Sequence, residues 1–328
     1  MQAYPLKFGP IYKERIWGGD KLREVFGREM PRGKRIGESW ELADLPEDKS
    51  KIVNGELAGE TIESVIRKYT KEITGAEQFK LPFPLLIKFL DCGDVLSVQV
   101  HPDDSTAAIL GAGHRGKTEC WVILADGGVL FQGTRPGVNR DAFERALADH
   151  TLAARLNRFE GRAGDVFFIE ARTVHALGEG CLLYEIQQTS DITFRVYDWD
   201  RMGLDGKPRP LHVAESLATI DFSRTDFGPL RPAWRTDPTG GIESRSLVTC
   251  PYFAVEQFRV SAGATLRRIS RDACAVVTCI DGHGVLATDG GELPLVPLQT
   301  ALLPAACGTW QVRSETATLD LIVASPQF

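Results

Sequence analysis

Val98-Gln99-Val100-His101-Pro102-Asp103-Asp104 is a run in which polar and apolar side chains alternate before a proline ends it. Successive side chains of a strand point to opposite faces, so Gln99 and His101 leave one face while Val98 and Val100 leave the other. One face carries chemistry and the other packs. The turn Cys92-Gly93-Asp94 comes just before, which makes the segment a strand leaving a tight turn: Gly93, five residues, then Gln99-Val100-His101.

Two more residues complete a candidate site. Glu119 opens the apolar, β-type run Glu119-Cys120-Trp121-Val122-Ile123-Leu124, and His175 lies just beyond Gly164-Asp165-Val166-Phe167-Phe168-Ile169. Each stands at a strand margin, where a scaffold can aim a side chain inward. An amide oxygen, two imidazoles and a carboxylate form a nitrogen and oxygen donor set suited to zinc or another divalent first-row metal. Taken singly, a histidine at a strand end is more often a hydrogen-bonded structural residue, and a glutamate before a tryptophan is usually solvated. All four on β-type segments favour a metal site, with Gln99, His101, Glu119 and His175 as ligands.

Composition narrows the classes. The chain has 328 residues, 43% hydrophobic and 25% charged, enough for two domains with real cores. Its net charge of −6 comes without a basic cluster, which argues against nucleic acid as a partner. The first eight residues lack the apolar core of a leader, and the longest apolar run, Leu81 to Leu90, is broken by Pro82, Pro84 and Lys88, so a cytoplasmic protein without membrane contact is expected. Seven cysteines, scattered and without a C-x-x-C pair, fit reduced thiols and not a cysteine zinc cluster.

Short β-type runs between Gly, Pro and Asp turns dominate, the pattern of sandwiches and barrels. Helical periodicity is confined to Glu60 to Thr74, with Ile62, Val65, Ile66, Tyr69 and Ile73 on one face, and to a stretch after the N-cap Asn139 that uses Phe143, Ala146, Leu147, Leu152 and Leu156. The second is read as a small helical insertion, about 139–158, in a first domain of residues 1–235. After the proline-rich segment Pro229 to Pro238 the strands resume, and residues 240–328 read as a second jelly roll. His283 sits there in a turn with no partner set, so that domain is expected to hold no metal and to be structural.

Several motifs together resemble one family. Trp17-Gly18-Gly19, Gly37-Glu38-Ser39-Trp40-Glu41, the Val98 to Asp104 run, Gly116-Lys117-Thr118-Glu119, Thr173-Val174-His175-Ala176-Leu177, Tyr184-Glu185-Ile186-Gln187-Gln188 and Arg195-Val196-Tyr197-Asp198-Trp199 are similar to those of type I mannose-6-phosphate isomerases in their short, cupin form. The likeness covers roughly residues 5 to 215, with the last third alike only in outline. It implies a mainly β fold of two cupin jelly-roll barrels, one zinc ion per chain, and a sugar phosphate as substrate. Members commonly carry Pro and Gly in the loop before the last ligand, where this chain has Glu170 and Arg172. Glycine takes a positive φ without steric cost, so Arg172 raises the question of a reshaped turn.

The reaction implied is the interconversion of mannose-6-phosphate and fructose-6-phosphate, with a proton moving between C1 and C2 through an enediol. A divalent metal polarises the carbonyl, and cations hold the phosphate. The resemblance assigns Arg195 an active-site role, against a surface pairing with Asp191 or Asp198. Lys117, two residues before Glu119, is a second catalytic candidate, against a flexible loop lysine. Lys88 is a charge inside an apolar run, so it either faces a polar cavity or snorkels outward. The proton-abstracting group stays open, as do Glu38, Ser39 and Glu41. Trp17, Trp40 and Trp199 are either sugar-stacking platforms or core. Two other classes remain at this point: a bicupin metal-dependent oxidoreductase and a non-catalytic sugar-phosphate-binding paralogue. The assembly expected is a monomer or weak homo-oligomer.

Overall fold

The computed structural model describes residues 2–111, 114–270 and 273–327. The expected ranges 1–235 and 240–328 each include residues outside these. The fold is mainly β, and none of the described helices is long and apolar enough to cross a membrane. All seven cysteines are free.

Contacts group the chain into two units. One comprises Tyr12–Trp40 and Ile87–Arg231, the other the chain up to Ile11, Glu41–Leu86, and Pro232 onward. A single cut between 235 and 240 therefore describes only the last crossing between them. The reason is long-range pairing: Leu6–Lys7 adds as an edge strand to Thr300–Leu303, with Leu6 opposite Leu302, and no local period reports such a partner.

In the first of these units, a six-stranded sheet runs in the order Ile11–Glu14, Ile36–Leu42, Leu85–Asp91, Leu182–Gln188, Glu119–Ile123, Val166–Ile169. A five-stranded sheet runs Phe194–Tyr197, Val98–Val100, His175–Leu177, Val129–Thr134, Leu156–Glu160. Leu90, Trp121, Ile123, Phe167 and Leu183 of one pack with Leu130 and Leu177 of the other, so the sheets face each other. The opposite face of the five-stranded sheet packs separately: Val98, Val100, Phe131 and Ala176 meet Phe143, Leu152 and Leu217. These come from the helices Arg140–Ala148 and Val213–Thr219 and the 3-10 turn Leu152–Arg155. The alternation of Val98 to His101 thus divides as the sequence predicts, valines outward to the helices and Gln99 inward.

Both helical expectations are met in part. Glu60 to Thr74 forms two short helices, Ile62–Lys68 and Thr70–Thr74, broken at Tyr69 with φ −133°. Asn139 caps its helix by accepting from Ala142 N at 2.9 Å, but the helical stretch ends at Arg155, because Leu156 begins a strand beside Thr134.

The second unit holds a seven-stranded antiparallel sheet, Leu6–Lys7, Thr300–Leu303, Ala275–Asp281, Thr318–Pro326, Phe253–Ser261, Ile242–Thr249, Arg235–Thr236, and a four-stranded one, Thr265–Ile269, Thr309–Ser314, Gly284–Thr288, Gly291–Leu295. Phe258, Val277, Leu321 and Val323 from the first interdigitate with Leu266, Leu286, Trp310 and Val312 from the second. His283 is exposed in a turn.

Candidate active site

Sheet register assembles the site. In the five-stranded sheet Gln99 stands opposite His175 on one side and Arg195 on the other, which sets these three side by side across three strands. In the facing sheet Glu119 pairs with Gln187, and Trp121 with Glu185. Side chains from both sheets meet in one cavity of about 470 Å³ whose wall includes Glu38, Lys88, Gln99, Lys117, Glu119, Trp121, Glu185 and Arg195.

His101, Glu119 and His175 are each about 1% exposed, and bring one potential ligand atom apiece to within 4.8 Å of one another. Both imidazoles are oriented from behind. His101 Nδ1 lies 2.7 Å from the Ile192 carbonyl and His175 Nδ1 2.8 Å from the Thr173 carbonyl, which turns both Nε2 atoms toward Glu119. The Gln99 amide reaches within 3.3 Å of His175 Nε2. Burial and Lys117 push the His101 pKa down to about 3, and burial lowers that of His175, so both rings are neutral at neutral pH. Burial works to raise the Glu119 pKa, but the Lys117 charge beside it outweighs burial and holds the carboxyl well below the usual carboxylate range. Its Oε2 is buried without a hydrogen-bond partner. An ionised carboxylate with an unclaimed oxygen between two neutral imidazoles suits a divalent cation.

Lys117 is buried, and its Nζ lies 2.8 Å from Glu119 Oε1 and 3.2 Å from His101 Nε2. It is not a flexible loop lysine. Its ammonium shares the donor electrons that a metal would use.

Lys88 faces the cavity, as one of its two sequence readings required. Its Nζ is 3.1 Å from Glu185 Oε1 and 3.5 Å from Glu38 Oε2. Glu38 also accepts from Trp40 Nε1 at 2.7 Å and Arg15 Nε at 2.7 Å; against burial, the charges of Lys88 and Arg15 together with these hydrogen bonds hold its pKa down to about 2. Glu185 differs. Burial and the nearby Glu119 charge raise it to about 7, in spite of Lys88 and a 3.1 Å bond from Trp121 Nε1. Sequence reasoning passed over Glu185 as a site residue, although Glu185 and Gln187 alternate around Ile186 at the end of the apolar stretch that begins at Leu182, the same signal that singled out Gln99 and His101.

Arg195 is half-buried, its Nη1 on the Pro210 carbonyl at 3.0 Å and its Nε buried without a partner. Among the described residues it forms no ion pair with Asp191 or Asp198; Asp198 is taken by Arg201 and Arg209. His212, on the cavity wall, accepts from Arg195 N at 3.1 Å. Of the three tryptophans, Trp17 lines the cavity, while Trp40 serves Glu38, and Trp199 donates to the Leu96 carbonyl at 2.7 Å. Glu41 lies an odd number of positions from Glu38 and so on the opposite face of its strand, away from the cavity. The turn before His175 keeps a left-handed residue, Arg172 with φ 71°, so arginine occupies the conformation that glycine favours.

A β-sandwich with a buried His-Glu-His cluster beside a polar cavity is the arrangement of a cupin with a candidate metal site. Residues 6–119 match the model of the phosphomannose isomerase type I catalytic domain, and 243–325 that of the mannose-6-phosphate isomerase cupin domain. A probable mannose-6-phosphate isomerase of Bacillus subtilis is 33% identical over 326 residues, 99% of this chain and 100% of that protein. The mannose-6-phosphate isomerase of Streptococcus mutans is 32% identical over 94% of this chain and 95% of its own. The crystal structure of the Bacillus subtilis mannose 6-phosphate isomerase superposes with a TM-score of 0.88 at 29% identity, covering 98% of this chain and 99% of that one. The chain belongs to the type I phosphomannose isomerase family.

Proposed function

We propose that the chain interconverts mannose-6-phosphate and fructose-6-phosphate by moving one proton between C1 and C2 through an enediol. Family membership supports the reaction. The observation that carries it to particular residues is a buried carboxyl, Glu185, which lines the same cavity as Gln99, Lys117 and Glu119 and lies 3.1 Å from Lys88 Nζ.

Gln99, His101, Glu119 and His175 would hold one zinc ion per chain, and their neutral or anionic state at pH 7 is the one a metal requires. Bound zinc supplies a Lewis acid that polarises the sugar carbonyl and the adjoining hydroxyl. Glu185 takes the proton from one carbon and returns it to the other, because a base is most effective when its pKa is close to the working pH. Lys88, bracketed by Glu185 and Glu38, keeps the ionised form of Glu185 within reach in a buried setting. Arg195, with its unpartnered Nε, and Lys117 are the cations that meet developing negative charge on the substrate oxygens.

We read the unit of Tyr12–Trp40 and Ile87–Arg231 as the catalytic cupin barrel with the helical segment after Asn139 inserted in it, and residues 240–328 as a second, metal-free barrel. The protein works in the cytoplasm as a monomer or weak homo-oligomer. A coupled assay of fructose-6-phosphate formation tests the activity: turnover should vanish on chelation and return with zinc. Zinc-loaded protein without turnover would make this chain a non-catalytic sugar-phosphate binder.

A further inference from the structure

The turn Glu170 to Thr173 is hydrogen-bonded to the backbone of His101, to the side chain of Thr118 beside Glu119, and to the ring of His175. Arg172 N donates to the His101 carbonyl at 2.7 Å. Ala171 N donates to the hydroxyl of Thr118, next to Glu119, at 3.2 Å, and the Thr173 carbonyl receives His175 Nδ1 at 2.8 Å. The turn therefore holds the His101 main chain and the His175 ring together. Arg172 holds the left-handed conformation there, φ 71°, in which a Cβ is crowded. The backbone alone calls for glycine, so what the position gains from arginine lies in the side chain.

That side chain reaches away from the cavity. Its Nε donates to the Thr219 carbonyl, the last residue of the helix Val213–Thr219, at 3.1 Å. Its Nη1 is 3.8 Å from the carboxylate of Asp103, which caps the helix Asp104–Ile109 by accepting from Thr106 N at 2.8 Å. The Arg172 carbonyl receives Asp221 N at 3.0 Å. A second brace runs alongside: Arg224 Nη1 lies 2.7 Å from Glu170 Oε2 and 3.2 Å from Thr173 Oγ1.

We propose that Arg172 is a positioning residue for the metal ligands, its guanidinium tying the turn to Thr219 and Asp103 so that His101 and His175 stay in donor geometry. This rests on the reading of His101, Glu119 and His175 as ligands. Residues that orient ligands from behind commonly change metal affinity by about 10- to 100-fold. Arg172→Gly separates the two contributions, because it relieves the backbone while removing the guanidinium. Zinc dissociation constants of wild type, Arg172→Gly and Arg172→Lys, taken by competition with a chromophoric chelator, are compared with the thermal midpoints of the metal-free proteins. The expected result is a Gly variant with an equal or higher midpoint and zinc binding weakened about tenfold or more, and a Lys variant, able to reach only one of the two partners, in between. Wild-type zinc affinity in both variants overturns the proposal and leaves the metal site standing. Wild-type protein that takes up no zinc removes the ligand reading and this proposal with it.

Discussion

The two units share a plan, two sheets over a common interior, and differ in what that interior contains. Between the sheets of the Pro232-onward unit the cluster of Phe258, Val260, Val277, Leu286, Leu321 and their neighbours is apolar. The cavity of about 370 Å³ in that unit is lined by Ser270, Cys274, Trp310 and others, with no histidine or carboxylate among its described lining residues. In the unit containing Ile87–Arg231, His101, Glu119, Lys88, Glu185 and Glu38 are buried together. Unpaired burial of one such charge costs several kcal/mol, and removing one member of a buried pair about 3–5 kcal/mol. The β-sandwich tolerates the cluster because its members neutralise one another. The lesson is that chemistry here is a matter of which face of a strand carries the polar residue.

The sharpest way to break this contrast is His175→Ala. Loss of one donor from a small site should leave the purified protein without stoichiometric metal and without isomerase activity, read by metal analysis beside the coupled assay. Metal retained at one equivalent would remove His175 from the ligand set. Next in size is Glu185→Gln, for which kcat should fall about 10²- to 10⁴-fold with metal content intact.

The pH dependence sharpens the same point. With Glu185 as base, kcat/KM of the wild type should rise with pH as this carboxyl ionises, and that limb should disappear in the Gln variant. The stability effects have opposite signs. The folded pKa of Glu185 is raised from 4.5 to about 7, so folding binds a proton and stability from this group falls as pH rises between these values. Glu38 is depressed from 4.5 to about 2, so its contribution is present above 4.5 and is lost as pH falls toward 2. A Glu185→Gln protein whose denaturant midpoint falls with pH between 4.5 and 7 as steeply as the wild type's would show that the buried carboxyl is not the group responsible.

Arg195→Ala should lower kcat by about two orders of magnitude, since a positioned charge near a developing oxyanion is commonly worth about 3 kcal/mol. Near-normal turnover by a folded, metal-loaded variant would make Arg195 structural. The smallest effect belongs to the other unit: His283→Ala, in an exposed turn, should alter stability by less than about 0.5 kcal/mol and leave metal content and kcat/KM unchanged. Loss of a second metal equivalent there would erase the contrast.

Period-two alternation was enough, from residues alone, to mark Gln99 and His101 as a pair facing away from Val98 and Val100, because strand geometry is local. The same local signal located Glu119 and His175 at strand margins, and the motifs around them gave the family. It left Lys88 with two opposite readings, and Lys117 between substrate and solvent, since a single strand does not report what stands across from it. Only the tertiary structure decided these. Register sets Arg195, Gln99 and His175 in a row, and the facing sheet brings Glu185 and Glu38 to Lys88. Pairing between strands far apart in the chain likewise carried Leu6–Lys7 to Thr300–Leu303 and interleaved the two units. Side-chain type and alternation are written in neighbouring residues, whereas the pKa of a buried carboxyl such as Glu185 depends on charges and desolvation supplied by distant ones.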